Sequence, residues 1–266
     1  MKIIVIKIGG SIINQLEQPF FKTISHLQKS GDCYPVIVHG GGPGINEALN
    51  KWEVNSSFVN GLRVTTKEVL EIAESVLSGT INKHLTAEIV KAGAPGFGLS
   101  GVDGSVLKVK PADPQGKLGY VGKVVQVNKK WLELIMDNGG IPVVSPIGID
   151  EKGQRYNINA DMAAAAIAKE LKAGIAFISD IPGVMEKPGD HSRIYDYLTK
   201  GQIDELIKEG VIHGGMIPKV LSALNALEEG VEAPVILNGL NPQDIVTYLK
   251  GEKAGTKIVM EEVHHA

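Results

Sequence analysis

Short runs that are almost wholly apolar recur along the chain, at 3–8, 35–38, 96–99, 141–144, 175–179 and 234–237. A strand covered on both faces has this pattern, whereas a half-exposed strand alternates apolar with polar positions. Between the runs, apolar residues repeat with helical spacing over 17–29, 44–51, 67–92, 130–138, 159–171, 202–209, 217–228 and 244–249. Strand and helix in alternation predict an α/β protein with a mainly parallel central sheet covered by helices. Two stretches interrupt the alternation. Asn60-Gly61 separates extended residues within 57–65, and a loop rich in Pro, Asp, Gly and Lys separates two extended runs within 106–127. Both predict β-hairpins, which on a parallel α/β body either close over a crevice or decorate its surface. No internal repeat or long linker divides the chain.

With 266 residues, 43% of them hydrophobic, the chain can bury the core of one large domain or of two modest lobes. Its net charge of −3 comes from interspersed acids and bases, with no basic stripe to neutralise a phosphate backbone, so nucleic acid is not an expected partner. The single cysteine, Cys33, permits no intrachain disulfide, and no Cys/His spacing suggests zinc; both fit a reducing, cytoplasmic setting. The opening segment has a lysine before apolar residues, as a secretory signal does, but Lys7 breaks the run and no small-residue cleavage pattern follows. The alanine-rich stretch 162–168 is too short to span a membrane, so a soluble protein without a membrane partner is expected.

Candidate chemistry gathers at the carboxyl ends of the predicted strands, where open α/β sheets bind ligands. Lys7 sits inside the first apolar run, just before Gly9-Gly10-Ser11. An ammonium there is costly unless an anion answers it, although a lysine that snorkels to solvent explains it as well when taken alone. The second strand ends in His39-Gly40-Gly41-Gly42-Pro43-Gly44 and runs into a helix. Consecutive glycines leave backbone N–H groups unobstructed at a helix start, which suits phosphate or carboxylate; a merely flexible turn is the alternative. Gly96-Phe97-Gly98-Leu99-Ser100-Gly101 formally matches the dinucleotide-binding GxGxxG, but it lies within a strand and no helix follows. No GxxxxGK[ST] occurs, so any ATP is handled without a P-loop.

Asn159 is a good N-cap for the helix that follows and Asp161 falls in its first turn, while Asn157 lies outside and is not explained by capping. Ser179-Asp180-Ile181-Pro182-Gly183-Val184 forms another polar turn after a strand. In Gly214-Gly-Met-Ile-Pro-Lys219, Pro218 suits the first helical position, which puts Lys219 in the first turn, where the helix dipole repels a cation. An anionic ligand at that helix end would account for it; so would a simple exposed lysine.

Taken together, Lys7-Ile-Gly-Gly-Ser11, His39-Gly-Gly-Gly42, Asn60-Gly-Leu-Arg-Val-Thr65, Asn157-Ile-Asn-Ala-Asp161, Ser179-Asp180 with Gly183, and Gly214 to Lys219 resemble the amino-acid kinase family. Their order and spacing are most similar to its acetylglutamate kinases, and the resemblance covers essentially the whole chain. It implies a three-layer αβα sandwich on a mainly parallel sheet, with two lobes sharing that sheet. Residues 1–173 would form the acyl-acceptor and dimerisation lobe and residues 174–266 the ATP lobe. By this similarity Gly41 and Gly42 would contact N-acetyl-L-glutamate, Arg63 would pair with its α-carboxylate, and Asn157 would help hold it. Gly9, Gly10, Ser11, Asp180, Gly183, Val184, Val211 and His213 would serve ATP, whose Mg2+ would be bound through the phosphates with no dedicated protein site. Lys7 and Lys219 would flank the migrating phosphoryl group, with Asp161 positioning both. The chain begins at its first strand, without the helix that by similarity accompanies arginine inhibition, so an arginine-insensitive homodimer is expected, with the 67–92 helix as candidate interface.

A side-chain carboxylate of pKa about 4 is already ionised at neutral pH, so such a reaction needs no general base. Repulsion is the obstacle: a carboxylate within about 4 Å of one phosphate charge costs about 4 kcal/mol at an effective dielectric of about 20. Fixed cations must therefore surround the transfer. Other acceptors, namely an N-modified aminoadipate, glutamate or carbamate, stay open, with Arg63 disfavouring carbamate. A binding protein that has lost chemistry is the rival from another class, and the joint presence of Lys7, Asp161 and Lys219 speaks against it.

Overall fold

The computed structural model describes residues 2–186 and 193–260. The chain opens with β1 (Ile3–Ile8), α1 (Gln18–Ser30), β2 (Tyr34–His39) and α2 (Gly42–Lys51). A hairpin of β3 (Phe58–Val59) and β4 (Leu62–Arg63) leads into a long helical rod made of α3 (Lys67–Glu74), a π-helical stretch (Ser75–Ile81) and α4 (Asn82–Lys91). Next come β5 (Gly96–Ser100), a second hairpin of β6 (Leu107–Pro111) and β7 (Gly122–Val127), α5 (Lys130–Asp137) and β8 (Ile141–Ser145). The short β9 (Ile147–Ile149) and β10 (Arg155–Asn157) precede α6 (Ala160–Leu171). The remainder comprises β11 (Gly174–Ser179), β12 (Tyr197–Leu198), α7 (Lys200–Lys208), α8 (Met216–Glu228), β13 (Val235–Asn238), α9 (Gln243–Leu249) and β14 (Thr256–Ile258).

Eight strands form the main sheet in the order β12-β14-β13-β11-β1-β2-β8-β5. Every pairing in it is parallel except β13 with β14. The sheet runs unbroken from strands of the first 173 residues into β11 and beyond, because β1 and β11 pair residue by residue from Ile4–Gly174 to Ile8–Ile178. Side-chain alternation along β1 then assigns two layers. Ile4, Ile6 and Ile8 point into a core shared with Phe20, Phe21, Ile24 and Leu27 of α1, Leu85 and Ile89 of α4, and Ile245 of α9. Val5 points the other way, into a core built with α5, α6, α7 and α8. Full burial of each large side chain is worth roughly 1.5–3 kcal/mol, so both apolar faces of this sheet are strongly committed. The αβα sandwich expected from the sequence is the observed architecture.

Helix ends follow local chemistry. α1 starts with Pro19 in its first turn and stops at Gly31, whose φ of 75° is the left-handed conformation favoured after a helix. Asn159 caps α6, its side-chain oxygen accepting from the backbone N–H of Asp161 and Met162. Both hairpins are present, and the second belongs to a separate sheet of order β10-β9-β6-β7. Two sequence expectations need correction, and four short strands are absent from the sequence reading. The 67–92 helix is interrupted by the π-helical stretch, whose Ser78-Gly79-Thr80 offers weak helix formers. α8 begins at Met216, which moves Pro218 to the third position, still within the turn whose N–H groups lack intrahelical partners. β9, β10, β12 and β14 are two or three residues long, too short to stand out as apolar runs. No described helix is long and apolar enough to cross a membrane.

Candidate active site

Lys7 of β1 stands in register with Val38 of β2 and Phe177 of β11, so the polar turns that follow these three parallel strands meet at one edge of the sheet. Their close approach depends on glycine. A Cβ on Gly10 would lie 2.8 Å from Gly42 N and 2.9 Å from Pro43 Cδ, and one on Gly41 would lie 2.5 Å from Ile81 Cδ1. The turn after β1 is thereby seated directly against the start of α2, which has no side-chain cap and leaves its first N–H groups free for an anion.

On one side of this contact lies a cleft of ≈ 430 Å³, lined by Lys7, Lys219, Asp161, Asp180 and the Gly9-Gly10-Ser11 turn. Lys7 Nζ is 2.6 Å from Asp161 Oδ1, an atom closed off from solvent that makes this ion pair and accepts no hydrogen bond from the described residues. Lys219 Nζ donates to Asp180 Oδ1 at 2.5 Å and to Ser179 Oγ at 2.9 Å. The hydrogen bond from Lys219 holds the Asp180 carboxyl below the usual carboxylate range. Asp161 therefore pairs with Lys7 but not with Lys219, contrary to the expectation that it positions both. The reason is topological: α8 approaches over the end of β11, where Ser179 and Asp180 meet its first turn.

On the other side lies a cavity of ≈ 290 Å³ lined by Gly42, Asn46, Phe58, Arg63, Val121 and Asn157, among others. Arg63 is only 8% exposed. Its guanidinium donates to Asn46 Oδ1 at 2.6 Å and Ser56 Oγ at 3.1 Å and lies 4.6 Å from the Phe58 ring centre. Among the described residues no carboxylate pairs with it, and burial pushes its pKa below the ordinary arginine value. A cation taken out of water with only neutral partners is unfavourable, so this cavity is built to receive an anion. Asn157 points its amide at Thr65, Nδ2 donating to Oγ1 at 3.2 Å. Gly41 lies behind the cavity wall against Leu77 and Ile81, whereas Gly42 faces open space.

Four other candidates lie elsewhere. Gly183 and Val184 pack at β14: the Val184 N–H donates to Thr256 Oγ1 at 2.8 Å, and a Cβ on Gly183 would meet the same oxygen at 2.7 Å. Val211 and His213 precede α8, where His213 Nδ1 lies 3.2 Å from the Val211 carbonyl oxygen. None of the four lines the lysine cleft.

The amino acid kinase family's sequence model matches residues 2–238, a span that contains every residue lining the two cavities. The chain belongs to the amino acid kinase family. Similar relatives include the acetylglutamate kinase of Oceanobacillus iheyensis, 51% identical over 265 residues and covered in full on both sides. The acetylglutamate kinase of Geobacillus kaustophilus is 46% identical, covering 98% of this chain and 97% of that one. Among solved structures, the smu.665 protein of Streptococcus mutans superimposes with a TM-score of 0.79 at 32% identity, over 97% of this chain and 99% of that one. A carbamate kinase from Giardia lamblia bound to AMP-PNP shares the fold, with a TM-score of 0.65 at 17% identity, over 98% and 99% of the two chains.

In this amino acid kinase, sequence reasoning misses Asn46, Ser56 and Phe58, and it singles out Ser179 only as part of a polar turn, without the hydrogen bond it accepts from Lys219. Asn46 follows Gly42 by four helical positions, a spacing that places both on one side of α2 and could have flagged it. Ser56 and Phe58 carry no comparable signal, because only the fold of the hairpin brings them to Arg63. His39 is wholly buried behind the glycine turn, and burial pushes its imidazole down to about 4. Its Nδ1 lies 3.1 Å from the Gly40 carbonyl oxygen and its Nε2 lies 3.2 Å from Asn82 Nδ2. A neutral ring that donates from Nδ1 and accepts at Nε2 satisfies both contacts.

Proposed function

We propose that the protein transfers the γ-phosphoryl group of ATP to the side-chain carboxylate of N-acetyl-L-glutamate, giving N-acetyl-L-glutamyl 5-phosphate and ADP, a step of arginine biosynthesis. The observation that carries this reading is the lining of one cleft by both Lys7 and Lys219, beside a cavity that holds a buried arginine with no acidic partner among the described residues. Arg63 receives the α-carboxylate of the acceptor, with Asn157 and the Gly42 N–H beside it. The side-chain carboxylate then reaches past the Gly10–Gly42 contact into the lysine cleft. One of its oxygens forms a bond to the γ-phosphorus as the bond from that phosphorus to the β–γ bridging oxygen breaks, and the electron pair leaves with ADP. No proton moves, because the nucleophile is already an anion.

Lys7 and Lys219 offset the repulsion between the two anions, most strongly while charge spreads over the transferring group. Asp161 keeps the Lys7 ammonium aimed into the cleft. Asp180 and Ser179 hold Lys219 until phosphate oxygens compete for it. Gly9, Gly10 and Ser11 are assigned to the phosphates, and Gly183, Val184, Val211 and His213 to nucleotide parts beyond the cleft. Mg2+ is assigned to the ATP phosphates, where it would neutralise charge. On this reading residues 1–173 hold the acceptor and residues 174–266 the nucleotide.

The test is a substrate panel with hydroxylamine trapping of the acyl phosphate. ATP-dependent hydroxamate should form fastest with N-acetyl-L-glutamate, and more slowly with N-acetyl-aminoadipate and free glutamate. Faster turnover of either alternative would reassign the acceptor. A homodimer is proposed as well, built on the rod of α3 and α4 with the β5 edge, where Val90 is 55% and Phe97 47% exposed. Sedimentation should give twice the chain mass, and a monomer at micromolar concentration would refute it.

A further inference from the structure

Thr65 is wholly buried, and its one hydroxyl links two residues of the arginine cavity. Thr65 Oγ1 donates to the Arg63 carbonyl oxygen at 2.8 Å and accepts from Asn157 Nδ2 at 3.2 Å. The backbone repeats the link. Thr65 N donates to the Leu118 carbonyl at 3.0 Å, Tyr120 N donates to the Thr65 carbonyl at 2.7 Å, and Asn157 N donates to the Tyr120 carbonyl at 2.9 Å. Gly119, at a φ of 64°, makes room for this pairing, because a Cβ there would lie 2.3 Å from the Thr65 carbonyl oxygen. The hairpin that carries Arg63 is thus joined to the strand that carries Asn157 directly through the Thr65 hydroxyl and, along the backbone, through Thr65 and Tyr120.

The hydroxyl does more than join chain segments. It is the one side-chain hydrogen-bond partner of Asn157 among the described residues, and so it fixes the orientation of that amide. With one N–H directed at Thr65, the other amide hydrogen and Oδ1 remain available on a side chain that lines the cavity. A rotated amide would present the wrong polarity to a ligand.

We infer that Thr65 is a positioning residue for acceptor binding, its hydroxyl setting the Asn157 amide and the Arg63 backbone so that both face the acceptor together. The inference rests on the reading of the arginine cavity as the acceptor site. Thr65→Val keeps the shape, the β-branch and all three backbone links while removing the hydroxyl. It should raise the acceptor KM about tenfold, as expected for a hydrogen bond lost between buried partners, and leave kcat and the ATP KM within about threefold. Thr65→Ser, which restores the hydroxyl, should return the acceptor KM to within about threefold of the parent value. Thr65→Ala removes the same group and carries the test if valine disturbs folding. In an Asn157→Ala background, Thr65→Val should have a much smaller effect on KM, since the amide it orients is gone. An unchanged acceptor KM in Thr65→Val, or a serine variant as impaired as the valine one, overturns the inference. Arg63→Ala, measured in parallel, separates the two levels. If it raises the acceptor KM while Thr65→Val does not, only the role of Thr65 fails; if it too leaves KM unchanged, the assignment of the cavity fails and takes the inference with it.

Discussion

At the scale of single residues, His39 shows how a titratable group can serve by staying neutral. It sits between the Gly40 carbonyl and Asn82, whose amide also reaches the carbonyls of Leu99 and Val143, so β2 and its glycine turn are tied to α4, β5 and β8. Burial lowers its folded pKa to about 4, below the ordinary value of 6.5. Above pH about 6.5 the ring is neutral in both folded and unfolded chains and contributes no pH dependence. As pH falls from there towards about 4, the unfolded chain binds a proton that the folded chain refuses, and stability declines by up to about 3 kcal/mol before levelling off. Urea midpoints measured between pH 7 and 4 should fall more steeply for the parent protein than for His39→Gln. Equal slopes would show that His39 titrates like a surface histidine. The sequence places His39 before the glycines but cannot reveal its partner, because Asn82 reaches it only through the packing of α4 on the sheet.

At the scale of elements, the sheet strands that read most clearly are those buried on both faces, because burial alone dictates an unbroken apolar run. β1, β2, β8 and β11 are of this kind, and the polar turns after β1, β2 and β11 lie at the site. The Asn60-Gly61 turn of the first hairpin is equally legible from its own chemistry, with Asn60 and Gly61 both at positive φ. β9, β10, β12 and β14 escape sequence reading because pairing, not composition, defines so short a strand. The π-helical stretch escapes for another reason: its residues keep a helical apolar pattern, and the altered winding appears only where Leu77 and Ile81 press against Gly41. Lys219 illustrates the same boundary. Its awkward place near a helix start points to an anion, but whether Asp161 or Asp180 provides the resting partner depends on how α8 crosses the end of β11.

At the scale of the whole molecule, the two lysines of the cleft come from opposite ends of the chain. β1 supplies Lys7 and α8 supplies Lys219, and the unbroken sheet through β1 and β11 brings them to one opening. That arrangement suits a reaction whose chief barrier is the meeting of two anions, since each side of the molecule contributes one cation and the charge is complete only when both are engaged. Cations that act mainly as the transition state forms affect turnover far more than acceptor affinity. The most direct test is therefore steady-state kinetics of Lys219→Ala and Lys7→Arg with N-acetyl-L-glutamate and ATP. Both variants should lose about a hundredfold or more in kcat while the acceptor KM stays within about threefold; near-normal turnover in either would contradict the proposed role of the lysine pair.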